Sequence, residues 1–239
     1  MPMQAPDRQT ARRLIEQPPR LWRAFDRQFS PPGRAFRHVW PRIDRIEGFL
    51  NSPLQERWLL RTAWSLADDA TIVEIGSFKG RSTCCMAYAC RSTRKRVYCV
   101  DTFLGTGADS TGTGGVSFFE EWRANVARNG LLEYVTPIVG DSRLIGPGWG
   151  RQIDMLFIDG SHAYEDARAD FDNFFPHVRR GGIVALHDVI VRNGPSRVWE
   201  ERKHLLARRG MCSTLAFGRK LKDAAARTAH HTVLREGLP

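Results

Sequence analysis

The 239-residue sequence predicts an α/β protein: a doubly wound, mainly parallel seven-stranded sheet with helices on both faces and a helical N-terminal extension. Two observations carry this prediction. From residue 71 onward, short runs rich in Val, Ile and Leu alternate with stretches of helical periodicity, the pattern that a parallel sheet with crossover helices requires. Hydrophobic residues make up 42% of the chain, enough for one sizeable core at this length.

The elements follow in order. ARRLIEQ and LWRAFDRQF read as helical pieces broken by Pro18-Pro19 and Pro31-Pro32-Gly33. Their aromatic residues, with Phe36 and Trp40 beyond them, predict a segment that packs on another surface. We read residues 1–48 as this extension and 49–239 as the domain. Ser52-Pro53-Leu54-Gln55 supplies an N-cap, a proline at the first helical position and a glutamine at the third, so a helix over 53–67 follows, with Leu59, Ala63 and Leu66 inward. TIVEIG, RVYCVD, YVTPIVG, IDMLFID and GGIVALHD are the strands, with helices at 80–91, 117–129 and 163–176 between them. In the last of these, Ala167, Phe171, Phe174 and Phe175 share the apolar stripe with Tyr164, while Glu165, Asp166, Asp170 and Asp172 form a solvated face. A helix over 197–208, ending at Gly210, then precedes STLAFGRKL and HTVLRE, an antiparallel pair. The loop GTGADSTGTGG, residues 105–115, has five glycines and is either a flexible connection or a lid.

Composition removes several function classes. No run reaches the length of a membrane span, and the N-terminal residues lack the apolar core of a secretory leader, so a cytoplasmic protein is expected. The five cysteines (Cys84, Cys85, Cys90, Cys99 and Cys212) form no C-x-x-C pair and read as reduced thiols. The net charge of +10 sits at the ends: residues 1–48 carry +5, 49–191 carry −2 and 192–239 carry +7. A slightly acidic centre argues against a nucleic-acid substrate. The terminal arginines then serve a solvated surface or an oligomer contact, and a homo-oligomer is compatible with the aromatic N-terminal segment.

The stretch VEIGSFKGRST, residues 73–83, ends a strand at Glu74 and opens a helix after glycines at 76 and 80. Such a turn lets a ligand approach backbone N–H groups. It is neither the dinucleotide fingerprint nor a P-loop, and Glu74 would repel a pyrophosphate, so a cation-bearing ligand is favoured. The next strand ends in Asp101-Thr102, about 20 residues after the turn, where an acid can accept from both ribose hydroxyls. The third ends in Gly140-Asp141-Ser142, placed either to read an adenine edge or to cap a helix.

Taken with I-D-M-L-F-I-D-G-S-H-A-Y-E and R-G-G-I-V-A-L-H-D-V, these motifs resemble class I S-adenosylmethionine-dependent methyltransferases. The branch most similar includes macrolide-sugar and rhamnosyl O-methyltransferases and cephalosporin hydroxylase-like proteins. The likeness covers roughly residues 50–200 and implies a Rossmann-like fold with S-adenosylmethionine as cofactor. It implies that Glu74, Gly76, Ser77, Gly80 and Ser82 hold the methionine part, Asp101 and Thr102 the ribose, and Asp141 and Ser142 the adenine. It also implies that Asp159 faces the cofactor and binds a divalent cation, with Mg²⁺ first in order, and that His162 takes the proton from a substrate hydroxyl. An alcohol is a poor nucleophile near neutral pH, and an ion that lowers its pKa beside an imidazole base answers that need.

The family's fifth strand completes the metal site with oxygen donors. Here that place holds His187 and Asp188: Asp188 matches the pattern, and His187 is either a ligand or a core histidine. The expected function is metal-assisted O-methylation of a small hydroxylated molecule, such as a sugar or phenolic group of a natural product. The alternatives are a cofactor-binding protein that assists another enzyme, and a methyltransferase acting on RNA or protein.

Overall fold

The computed structural model describes residues 31–48, 50, 52–105, 117–189 and 193–221. Its strands are β1 (Thr71–Ile75), β2 (Arg96–Asp101), β3 (Val135–Val139), β4 (Ile153–Ile158), β5 (Val178–Leu186), β6 (Leu206–Cys212) and β7 (Leu215–Lys220). Its helices are α1 (Pro31–Ile43), α2 (Pro53–Trp64), α3 (Arg81–Tyr88), α4 (Phe119–Arg128), α5 (Ser142–Ile145), α6 (Tyr164–Phe174) and α7 (Gly194–Arg202). The sheet order is β3-β2-β1-β4-β5-β7-β6, parallel from β3 to β5, with β7 antiparallel to both neighbours. This is the mainly parallel sheet with helices on both faces that the alternation of runs predicts, and its doubly wound, Rossmann-like order is the one the resemblance implies.

Strand side chains explain why both faces are covered. Along β4, Met155 and Phe157 enter one buried cluster while Leu156 and Ile158 enter the other. Along β5, Ile183 and Ala185 alternate with Val184 and Leu186 in the same way. A strand that is apolar on both faces must be roofed on both. The first cluster is closed by α1 to α4 and the second by α6 and α7.

Ser52 caps α2 as its sequence predicts, its hydroxyl accepting from Leu54 N at 3.2 Å. On α1, Phe36, Val39 and Ile43 form a stripe at helical spacing that is buried in the first cluster, so this part of the extension packs against α2 and α3. Pro31 and Pro32 open this helix, where a proline's missing N–H has no intrahelical acceptor to lose. A polar latch adds to the packing. The carboxylate of Glu56, fully buried on α2, receives the indole N–H of Trp40 and the guanidinium of Arg81, which also pairs with Asp44 at 2.7 Å and donates to Ile46 O at 3.0 Å. Arg81 is the first residue of α3, so the latch ties the extension to the helix that follows the glycine turn.

Three expectations need correction or fall outside the description. The helix expected over 197–208 ends at Arg202. A 3-10 turn (Lys203–Leu205) and edge strand β6 follow it, because Leu206 alone is fully buried between Lys203 and Gly210, and no apolar helical stripe exists. Gly210 gives Phe217 its place across the pair: a Cβ there would meet the ring at 2.6 Å. The partner of β7 is therefore LARRGMC rather than HTVLRE, which lies outside the described residues with the helical pieces before Pro31 and almost all of the loop 105–115. Asp170, expected on a solvated face, is 2% exposed, because its position three residues after Ala167 turns it toward α5, where it accepts from the hydroxyl of Ser142.

The latch has a measurable consequence. Arg81→Met should lower stability to urea by about 3–5 kcal/mol, since it leaves the Glu56 carboxylate buried without its counter-charge. Adding Glu56→Gln should recover most of that loss.

Candidate functional site

The register of the sheet aligns the carboxyl ends of its central strands. Ile75 is level with Val100 and Ile158, and Ile158 with Leu186. The residues immediately beyond, Gly76, Asp101, Asp159 and His187, therefore lie along one edge. The strand order reverses here between β1 and β4, where doubly wound sheets open a crevice for ligands.

The turn after β1 is shaped by two glycines. Gly76 has φ +82° and lies so close to β4 that a Cβ would come within 2.2 Å of the Asp159 carbonyl oxygen. Gly80 has φ +90°, and a Cβ there would meet the Trp122 indole at 2.9 Å. Between them Phe78 is held at φ +45°, a conformation that costs a non-glycine residue free energy. Asp101 secures the turn: one carboxylate oxygen accepts from Ser77 N at 2.6 Å and Phe78 N at 2.8 Å, and the other from Phe103 N at 2.7 Å. Thr102 lies beside it and accepts from Leu104 N at 3.4 Å. Lys79 joins the turn to its surroundings through Glu47 at 2.7 Å and Glu121 at 3.1 Å.

Glu74 lies beneath this turn with no solvent exposure. One oxygen accepts from the hydroxyls of Ser77 and Thr83; the other, Oε1, is buried with no hydrogen-bond partner. Burial is the main reason its pKa rises to about 7, against the pull of the hydroxyls of Ser82, Thr83 and Ser77. A buried carboxyl oxygen left over in a turn of this kind suits a ligand with a hydrogen-bond donor or a positive charge. Asp141 and Ser142, at the end of β3, have local partners. Asp141 caps the four-residue α5 and pairs with Arg143, which holds its pKa below the ordinary range, and Ser142 donates to Asp170.

Beyond β4 and β5 the structure brings Asp159, His162, His187 and Asp188 together. His162 is half exposed, and its Nε2 lies 3.1 Å from Asp188 Oδ2. The backbone at His162 is fixed by α7, since Gly194 N donates to its carbonyl at 3.1 Å and a Cβ at Gly194 would meet that oxygen at 2.5 Å. One ligand atom from each of Asp159, His162 and Asp188 falls within 4.8 Å of the others, so the donor set fits a metal ion. Asp188 takes φ +54°, a strained value that turns its carboxylate toward this cluster.

His187 is 2% exposed, with Nδ1 2.9 Å from Asp159 Oδ1 and 3.3 Å from Asp188 Oδ2. Neither approach has the geometry of a hydrogen bond, so both count as close ionic contacts. Burial by itself would lower its pKa, but the two carboxylates outweigh burial and raise it to about 10. Asp188 responds in the opposite sense: burial raises its pKa, and His187 pulls it below the ordinary range.

Sequence reasoning missed two residues of this cluster. Gln55, read only as a helix-start residue, is fully buried and donates from Nε2 to Thr214 Oγ1 at 2.7 Å, with its Oε1 3.3 Å from His187 Nε2. Thr214, in the turn between β6 and β7, lies 3.4 Å from the same nitrogen. No local signal marks either residue, because Gln at the third position of a helix and Thr in a hairpin turn are adequately explained by the elements themselves.

The raised pKa of Glu74 sets a pH dependence. The protonated carboxyl is the form that folding favours, so its stabilising contribution is complete below about 4.5, its unfolded value, and is lost as pH rises through about 7. In thermal melts without ligand, Glu74→Gln should remove a decline on the order of 3 kcal/mol between pH 4.5 and 8. An unchanged pH profile in that variant would show that Glu74 does not carry the effect.

Known proteins share parts of this sequence and its fold. Residues 73–189, from the turn strand to the residue after Asp188, match the methyltransferase domain family. Protein y4gI of Sinorhizobium fredii is 28% identical over 147 residues, which are 57% of this chain and 15% of that protein; a second relative, from Acanthamoeba polyphaga mimivirus, is 29% identical over 51% of the chain and 52% of its own length. The chain thus spans only part of these curated relatives. Among solved structures, the O-methyltransferase NovP superposes with a TM-score of 0.60 at 20% identity, over 72% of this chain and 81% of NovP. The Bacillus cereus O-methyltransferase in complex with S-adenosylhomocysteine superposes with a TM-score of 0.56 at 18% identity, over 86% of this chain and all of that one. From the glycine turn to Asp188, this chain carries a class I S-adenosylmethionine-dependent methyltransferase domain.

Proposed function

We propose that the chain is an O-methyltransferase for a small hydroxylated molecule, a sugar or phenol of natural-product type, assisted by a divalent cation and using His162 as general base. The observation that carries this reading is the meeting of Asp159, His162 and Asp188 at the strand ends beside the glycine turn. S-adenosylmethionine supplies the methyl group, and a bound divalent ion supplies Lewis acidity toward the acceptor oxygen.

The residues divide the remaining work. Glu74, Asp101 and the turn from Gly76 to Gly80, with Ser82 behind it, receive the cofactor; the edge of carboxylates suits its sulfonium and ammonium charges, and the free Oε1 of Glu74 suits its donors. Thr102, Asp141 and Ser142 border the nucleoside side. Asp159 and Asp188 hold the ion. His162, half exposed, is open to the acceptor hydroxyl and takes its proton as the oxygen attacks the methyl carbon; the carbon–sulfur bond breaks and its electron pair stays on sulfur. Asp188, 3.1 Å away, stabilises the imidazolium that results.

The O-methyltransferase names of the similar structures support the reaction type. The likeness to TomG of Streptomyces achromogenes, involved in tomaymycin synthesis, supports a natural-product acceptor; its TM-score is 0.55 at 18% identity, over 82% of this chain and 91% of TomG. The acidic centre of the chain supports a small acceptor over RNA. No helix among the described residues is long and apolar enough to cross a membrane.

Incubating the purified chain with methyl-deuterated S-adenosylmethionine and a panel of sugars and phenols should yield acceptors heavier by one labelled methyl, read by mass spectrometry. Transfer to protein or RNA alone would overturn the small-molecule reading, and no transfer at all would favour a partner protein of another enzyme. His162→Ala should keep S-adenosylhomocysteine binding within about twofold while turnover falls by about 10²–10⁴. EDTA should abolish turnover, and full activity in chelator would refute the role of the cation.

A further inference from the structure

The geometry points to a ligand-selecting clamp: we infer that Gln55 and Thr214 hold His187 as the Nε2–H tautomer, so that Nδ1 joins Asp159 and Asp188 as a third metal ligand. Such a set takes Mn²⁺, Fe²⁺, Co²⁺ or Zn²⁺ in preference to the Mg²⁺ that the sequence resemblance implies. The inference rests on the metal-assisted reading above and names the class of ion and the residues that select it.

Both ends of the His187 ring support it. At the inner end, Gln55 is fully buried and its amide is oriented by Thr214, to which its Nε2 donates at 2.7 Å. That leaves the Gln55 carbonyl oxygen facing His187 Nε2 at 3.3 Å, where it can only accept, so Nε2 carries a proton. At the outer end, Nδ1 is buried, makes no hydrogen bond, and lies 2.9 Å from Asp159 Oδ1 and 3.3 Å from Asp188 Oδ2. Donors that share one ion at about 2.0–2.2 Å are separated by about 3 Å when they are neighbours in its shell. Two carboxylates this close favour a proton on Nδ1 when no ion is bound, and a divalent cation displaces that proton and takes its place between the three donors.

The donor chemistry then decides the ion. Mg²⁺ seeks oxygen ligands and releases water reluctantly, whereas imidazole nitrogen suits the later first-row ions. A ligating histidine whose other N–H is held by a buried acceptor is a recurrent arrangement, and loss of the holder typically weakens binding about 10- to 100-fold. Gln55 and Thr214 both lie outside residues 73–189, the stretch that the methyltransferase domain family matches.

The test titrates the whole chain, saturated with S-adenosylhomocysteine, with Mn²⁺ and Mg²⁺ and records pulsed EPR of bound Mn²⁺. Mn²⁺ should bind at least tenfold tighter than Mg²⁺ and show imidazole ¹⁴N coupling that persists in His162→Ala and disappears in His187→Ala. Thr214→Val, close in shape but without the hydroxyl, should weaken Mn²⁺ about tenfold, and Thr214→Ser should restore it. Mn²⁺ bound through Asp159 and Asp188 without ¹⁴N coupling, or coupling that survives His187→Ala, overturns the inference while leaving the metal reading intact. Unchanged Mn²⁺ affinity in Thr214→Val overturns the clamp. A chain that binds S-adenosylhomocysteine but no Mn²⁺ refutes the metal reading and this inference together.

Discussion

Close contact between the turn after β1 and the main chain after β4 is the constraint on which the rest of the site depends. Gly76 can approach the Asp159 carbonyl because it has no side chain, and its positive φ then turns the backbone away from the sheet toward α3. The same approach places the glycine turn beside the first carboxylate of the acid cluster. In the proposed reaction methyl donor and acceptor activation must be neighbours for direct transfer, and this contact would make them so.

Around that contact, two polar networks meet the sheet edge from opposite sides. The latch of Trp40, Glu56 and Arg81 fastens the N-terminal helices to the start of α3, and the clamp of Gln55 and Thr214 fastens α2 and the last hairpin to His187. Glu56 and Gln55 are consecutive residues, so one turn of α2 serves both. Buried polar groups of this kind are costly unless fully partnered, and they restrict the fold to arrangements that partner them. An α2 displaced along its axis would leave both networks unsatisfied at once.

Charge is distributed with the same economy. The carboxylates of Glu74, Asp101, Asp159 and Asp188 stand at one edge, while the strongly positive stretches of sequence lie toward the two ends of the chain. Burial holds Glu74 largely protonated below neutral pH, and the His187 ring moderates the repulsion between Asp159 and Asp188. An edge of this character favours a ligand that carries positive charge, in keeping with a sulfonium methyl donor.

The sequence by itself determined the five parallel strands, the glycine turn and the acids at the strand ends, because each is a local pattern: alternation of apolar runs, a glycine where φ must be positive, an acid where a strand stops. It also singled out Asp159, His162 and Asp188, whose side chains the structure brings within 4.8 Å of one another. Tertiary structure alone decided the rest. Asp170 left its expected solvated face because α5 packs over it, and LARRGMC became an edge strand because β7 offered a partner for its backbone. Gln55 and Thr214 reached His187 from elements 132 and 27 residues away in the chain. No local pattern records such distances; register and packing bring those side chains to one point, and only there do their donors and acceptors acquire a meaning.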